Sequence, residues 1–289
     1  PMINFTHLNI HSLCNKSASL SNYLSSHPTD ILSLNETWIQ PDDSPNFASS
    51  LIPPRYSIIH TPRSTGQKGG GVAIVFRSFL KITRLATTLP TPKSFELMTT
   101  KLICGNKQFI LINIYRPPSH TFINPITKEP VSKDLIQLFY EEFTSLLEHF
   151  ISSPSELIIT GDFNIHFDNP HASTKFSDIL SSFDLHQHVS FPTNDHGHSI
   201  DLVITRSSSS LINNLSHHDT YLTTKLSLSN FPPTIDLSLN VPPSTTDPQK
   251  TLILTPSNMT SSLPISTQNL LKQPLTLPTN FHPLYQHSL

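Results

Sequence analysis

The chain is short of the residues that loosen a backbone or charge a surface. Only 7 of its 289 residues are glycine, 13% are charged, and the formal net charge is −2. That balance argues against a strongly basic nucleic-acid surface, because neutralising phosphates takes clustered Lys and Arg. A metal-dependent nuclease remains compatible with this balance, since its cation brings local positive charge. There are two cysteines, Cys14 and Cys104, with no CxxC pair and no Cys/His cluster at zinc spacing. That usage argues for a reducing compartment and against structural zinc. No apolar run reaches the roughly 18 residues of a membrane helix. The start "PMINFTHLNI" has no charged region followed by an apolar block, so neither a membrane span nor a signal peptide is expected.

What the chain does have is unevenly placed. Hydrophobic residues make up 36%, enough for a core where they concentrate, and many of the 26 prolines fall late. From Val241 the text is rich in Pro, Ser and Thr and contains no glycine. Repeated prolines deny a long helix or a central strand, so residues 241–289 read as a linker or disordered tail and residues 1–240 as one domain.

Along that domain, "MINFTHLNI" alternates as a strand ending near Asn9. "NKSASLSNYLSSH" places Leu20, Tyr23 and Leu24 at helical spacing, and "DILSLNETWI" is a second apolar strand from which Glu36 emerges. "GGGVAIVFR" and "FLKITRLATTL" read as neighbouring strands. "FELMTTKLICGNKQFILINIYRPP" reads as a hairpin turning at Gly105-Asn106 and stopped by Pro117-Pro118. "SKDLIQLFYEEFTSLLEHFI" is the clearest helix, with Ser132 as N-cap and a broad apolar stripe that belongs in a core. Then come a strand in "ELIITGDFNIHFD", a helix around "STKFSDILSSF", and strands at "HQHVSF", "SIDLVIT" and "PTIDLSL". Strands outnumber helices and several are hairpin-linked, which favours a mixed or antiparallel α/β sandwich over a doubly wound parallel sheet.

Polar residues recur where the apolar strands stop: Asn9, Glu36, Tyr115, Asp162 with Asn164, and Asp201. Each alone has a plain structural reading: a turn Asn, a solvated Glu, a half-buried Tyr, an Asx turn. Together, one Glu and one Asp with amide oxygens nearby suit Mg²⁺, which takes oxygen ligands and keeps positions open for water and phosphate. A metal so placed polarises a phosphoryl group while an Asp orients or deprotonates the attacking water.

The segments "LNIHSL", "DILSLNETW", "GGGVAIVF", "NIYRPP", "ELIITGDFNIHFD" and "QHVSFPTNDHGHSIDLVITR", in this order, resemble the endonuclease domain of non-LTR (LINE-like) retrotransposons. That domain belongs to the endonuclease/exonuclease/phosphatase superfamily, with exonuclease III, apurinic endonucleases and DNase I. The resemblance implies a four-layer α/β sandwich, two packed mixed sheets flanked by helices, with the site at one end. It implies Glu36 and Asn9 on the side of a Mg²⁺ or Mn²⁺ ion and Tyr115 on the scissile phosphate. Asp162 would orient or activate the water, Asn164 bind a phosphate oxygen, and Asp201 orient a histidine of the final motif. DNA is the implied partner, a reverse transcriptase domain is expected downstream and is absent here, and a monomer within the nucleus or cytoplasm is expected.

The final motif departs from the pattern. Where family members carry Ser-Asp-His before the last strand, this chain reads "KLSLSNFPPTIDLSL": read without a gap Leu228-Ser229-Asn230 replaces it, read with one deletion Ser229-Asn230 does, and either way neither Asp nor His is present. Losing such groups costs about 10² to 10⁴ in rate, so the expectation is a weakened or inactive endonuclease. His217, His218 and Asp219 lie upstream in "SHHDTYL", which reads as a solvated loop rather than a substitute. His186 and His188 read as surface or core residues. A non-catalytic remnant that binds nucleic acid or protein is the alternative, and a small-substrate phosphatase or phosphodiesterase is a third reading.

Overall fold

A computed structural model describes residues 2–44, 46–63, 69–104, 107–118, 134–217 and 235–240. The expected Gly105-Asn106 turn, the Ser132 cap, His218, Asp219, Ser229, Asn230 and the tail 241–289 lie outside the described residues.

The elements run β1 (Met2–Asn9), α1 (Leu13–Ser26), β2 (Ile31–Asn35), α2 (Phe47–Ser50), β3 (Tyr56–Thr61), β4 (Val72–Arg77), β5 (Lys81–Arg84) and β6 (Glu96–Cys104). There follow β7 (Lys107–Tyr115), α3 (Asp134–Ile151), β8 (Glu156–Asp162), α4 (Pro170–Ser182), β9 (Leu185–Gln187), β10 (Asp201–Arg206), β11 (Ile212–His217) and β12 (Ile235–Asn240). They form two six-stranded sheets, ordered β11-β12-β1-β2-β4-β3 and β5-β6-β7-β8-β10-β9. Both are mixed: β1 runs parallel to β2 and β7 parallel to β8, with antiparallel neighbours around them.

Three apolar clusters show how the layers stack. Ile3, Phe5, Val72, Ile74, Leu111, Ile158 and Val203 meet between the sheets. Leu13, Leu20 and Leu24 of α1 pack on Leu8, Leu32, Leu34, Ala73 and Val75, the other face of the first sheet. Phe139, Phe143, Phe150 and Phe176 of α3 and α4 cover Ile112, Ile159, Leu202 and Ile204 of the second. The result is helix, sheet, sheet, helices, the four-layer α/β sandwich that the strand pattern and the resemblance both implied. The apolar stripe of α3 is core, as its spacing required. Ser12 caps α1 by accepting from the Asn15 amide, and Asn169 caps α4 by accepting from that of His171.

Several local expectations change. β4 and β5 are consecutive but lie in different sheets, so they are not neighbours. In "HQHVSF" only His186 and Gln187 are strand, as the end of β9, whose ladder with β10 stops at the Ile204–Gln187 pair. Ser216 and His217 are not loop but the end of β11, paired with Asp236 and Ile235. Cys14 and Cys104 are free thiols. No described helix is long and apolar enough to cross a membrane.

Two buried amides tie the sheets together. Asn35 Nδ2 donates to the Ile114 carbonyl at 2.7 Å, and Asn113 Nδ2 to those of Leu34 and Ala73 at 2.9 and 3.2 Å. Asn113 is fully buried, so Asn113→Ala removes both inter-sheet bonds and leaves a void. We expect a loss of about 2–4 kcal/mol, lowering Tm on the order of 5–12 °C in a domain of this size. Thermal melting followed by circular dichroism checks it; a change under about 2 °C would mean the clamp is dispensable.

Candidate active site

The inward-facing residues of five strands change from apolar to polar at one end of the sandwich. Along β1 the inward face reads Ile3, Phe5, His7, Asn9; along β2 it reads Ile31, Ser33, Asn35. On the second sheet it reads Leu111, Asn113, Tyr115 in β7, Ile158, Thr160, Asp162 in β8, and Val203 back to Asp201 in β10. The strict period of two in a strand sets this pattern. Register then aligns the polar ends, with Asn9 opposite Asn35, and Tyr115 and Asp201 both opposite Asp162.

Glu36 is the hub. Its Oε1 accepts from Asn9 Nδ2 and from the Tyr115 hydroxyl, both at 2.9 Å. Its Oε2 lies 3.0 Å from His11 Nδ1 and accepts from Trp38 Nε1 at 3.3 Å. Burial alone would raise the Glu36 carboxyl, but hydrogen bonds from His11, Asn9 and Tyr115 and the His11 charge overcome it and hold the group at about 2 against an ordinary 4.5. The depressed value makes the ionised form stabilising above pH 4.5, and that contribution is lost as pH falls toward 2. With its side chain only 14% exposed, Glu36 should contribute about 2–3 kcal/mol. In EDTA, the native chain should therefore lose about that much relative to Glu36→Gln across this window, read from urea midpoints; parallel pH profiles would refute it.

Asp162 is buried between amide donors and a second carboxylate. Its Oδ2 accepts from Asn9 Nδ2 at 3.0 Å and its Oδ1 from the Asn164 backbone amide at 3.0 Å. Burial first, and the facing Asp201 carboxylate second, push Asp162 well above the usual carboxylate range despite those bonds. A carboxyl so raised suits a proton acceptor working near neutral pH. Tyr115 is also pushed up, by burial and by the charges of Glu36 and Asp162, so its phenol stays protonated and donates.

Asn9, Glu36, Tyr115 and Asp162 thus form one hydrogen-bonded cluster, with Asp201 beside Asp162. Asn164 adjoins it through its backbone, in the left-handed region at φ 47°. Its side-chain amide instead donates to the Arg116 carbonyl at 2.7 Å. Arg116 reaches back to the carbonyls of Phe163 and Asn164 at 3.2 and 3.1 Å, so the two residues brace the loop after β8.

Sequence reasoning missed three residues here. His11 sits at the mouth on Glu36, and Trp38 beside it. His7, buried on β1, places Nε2 3.2 Å from Asp201 Oδ1. The carboxylate expected to orient a histidine of the final motif is therefore held by a histidine from the other sheet. The signal was present: His7 precedes Asn9 by two residues and shares its face.

A hard divalent cation fits this donor set. Asn9 Oδ1 is buried and has no hydrogen-bond partner among the described residues, an acceptor left over beside an ionised carboxylate. Among the described residues there is no group of three or more His, Cys, Asp or Glu placed to hold a metal. One carboxylate, an amide oxygen and water match the sparse protein ligation of Mg²⁺.

The sandwich and its polar end define a DNase I-like α/β protein. The sequence profile of the Endonuclease/Exonuclease/phosphatase family matches residues 6–227, and the chain belongs to that family. No curated protein matches it in sequence. Among solved structures it is similar to the AP endonuclease LMAP from Leishmania major, with TM-score 0.63 and 17% identity over 83% of this chain and 88% of that one. It is similar to the 3′ phosphatase NExo from Neisseria, with TM-score 0.60 and 16% identity over 83% of this chain and all of that one. The endonuclease domain of TRAS1, a telomere-specific non-LTR retrotransposon, gives TM-score 0.59 and 13% identity over 83% and 99%. At these identities the likeness establishes the fold.

Proposed function

We propose that residues 1–240 are a Mg²⁺-dependent DNA endonuclease domain of the retrotransposon branch, impaired in its chemical step, with residues 241–289 a linker. The observation that carries the reading is the single hydrogen-bonded cluster of Asn9, Glu36, Tyr115 and Asp162 at the polar end of two packed sheets. The retrotransposon motif order and the likeness to the TRAS1 domain support the branch. Its ancestral reaction hydrolyses a DNA phosphodiester to leave a 3′ hydroxyl that primes reverse transcription.

Each residue takes a role from its chemistry. Asp162, raised and dry, accepts a proton from the attacking water and orients it. Tyr115, kept protonated, presents its hydroxyl to the phosphate when it releases Glu36. Asn164 would bind a phosphate oxygen only after its amide leaves the Arg116 carbonyl, so its first task is to hold Asp162. Glu36 and Asn9 would hold the cation. A cation there would supply Lewis-acid polarisation of a phosphoryl oxygen.

The absence of Asp and His at Ser229 and Asn230 supports a weak or inactive copy. It also supports the second reading, a non-catalytic module that binds nucleic acid or protein. Incubating supercoiled plasmid with the purified chain and Mg²⁺ tests both. Nicking near background is the expected result, and robust nicking abolished by Asp162→Ala would overturn the impairment. Turnover of a phosphomonoester without DNA binding would overturn the nuclease reading.

A further inference from the structure

We propose that the indole of Trp38 is a stacking platform for a nucleobase flanking the phosphodiester held at Glu36 and Asp162. The inference rests on the DNA reading above and adds a base-recognition element to that site. Trp38 is the chain's only tryptophan. Among the described residues, three large apolar side chains are exposed: Trp38 at 41%, Phe79 and Ile103. Phe79 follows the end of β4 remote from Asn35, and Ile103 pairs with Gln108 at the end of the β6–β7 hairpin remote from Tyr115. Trp38 alone lies at the polar end.

Its placement is enforced. Trp38 has φ 56°, an uncommon conformation for a bulky residue that points to a positional demand. Its backbone amide donates to the Gly70 carbonyl at 2.8 Å, and that of Thr37 to Gly71 at 3.2 Å. The indole nitrogen, its one polar atom, donates to the site's own carboxylate at 3.3 Å. A tryptophan serving only to anchor this turn would bury its ring, as the apolar residues around it do. This one is pinned by its edge while much of the ring stays in solvent. Arg63 lies nearby, its guanidinium 5.7 Å from the Tyr115 ring centroid, with its charge paired to Glu96. An exposed aromatic surface beside a phosphate site matches how single-stranded nucleic acid holds its bases, stacked on π-faces.

A lone tryptophan reports on its own environment. The full chain, with Ca²⁺ in place of Mg²⁺ to suppress cleavage, is titrated with a fluorescein-labelled single-stranded oligonucleotide and with an abasic strand of equal length. Anisotropy reads binding and, with unlabelled strands, indole fluorescence reads stacking. Saturable quenching is expected with the base-containing strand, together with affinity about 5- to 100-fold above that for the abasic one. Trp38→Ala should lose that margin, and Trp38→Phe, which keeps a ring but not the N–H, should recover most of it. If Phe behaves like Ala, the residue acts through Glu36 and the proposal fails. Binding without quenching, or equal affinity for both strands, also overturns it while leaving the DNA reading intact. No binding to either strand at low salt overturns both.

Discussion

Installing the missing pair, Ser229→Asp with Asn230→His, should raise Mg²⁺-dependent nicking by about 10²-fold or more over the unaltered chain. The positions are those that stand for Asp and His when the final motif is read without a gap. The rest of the cluster is assembled: Asn9, Glu36, Tyr115 and Asp162 are already hydrogen-bonded to one another. A group restored to an otherwise complete site recovers more than the same group in a dismantled one, because members acting as a unit are non-additive. The obstacle is Asp201, whose Oδ1 is engaged by buried His7. On the proposed role of Asp201, which is to orient the histidine of the final motif, an introduced histidine would need that carboxylate. His7→Thr releases it, so the triple variant should exceed the double by roughly another 10-fold. His7→Thr alone should not restore nicking. Plasmid relaxation time courses, with Asp162→Ala as background, separate these outcomes. If neither double nor triple variant rises above that background, the missing pair is not what limits this chain.

The contrast between His7 and the strands shows what could be read in advance. Residues at strand ends were legible because an apolar run that stops at a polar residue is a local pattern, and Asn9, Glu36, Tyr115 and Asp162 all obey it. His7, Asn35 and Asn113 were legible in principle by the same alternation, two residues before Asn9, one before Glu36 and two before Tyr115. His7 and Asn113 lie inside strands rather than at their ends, and Asn35, the last residue of β2, stands one place before the Glu36 that drew attention, so the strand-end criterion passed over all three. Sheet membership was not legible: β4 and β5 are joined by a short turn yet belong to different sheets. Pairing depends on partners far along the chain, and no local window holds that information. The same holds for "HQHVSF", whose β propensity extends past Gln187 although the ladder with β10 does not. Tertiary partners, not propensity, set those strand ends.

Gly161→Ala should carry the largest stability cost of any single methyl addition in the site. Gly161 adopts φ 145°, a conformation that side chains rarely take, and a Cβ there would lie 1.8 Å from the Ile114 carbonyl oxygen and 2.7 Å from its carbon. Ile114 is its register partner in the parallel β7–β8 pair, so relief requires parting two central strands. That parting would also misplace Asp162, the next residue, and break the Arg116 amide bond to the Asp162 carbonyl at 2.8 Å. We expect a cost above about 4 kcal/mol, the range in which backbone clash and lost packing combine, seen as insoluble expression or a Tm lowered by more than about 10 °C. Gly197→Ala is the control. It shares a positive φ, 80°, but a Cβ there meets nothing within 4 Å, so only the backbone preference is lost, about 1 kcal/mol. The pair separates contact from conformation: if both variants melt within about 2 °C of the native chain, the close approach of β7 to β8 at Gly161 is not what the Gly-Asp-Phe-Asn stretch is built around.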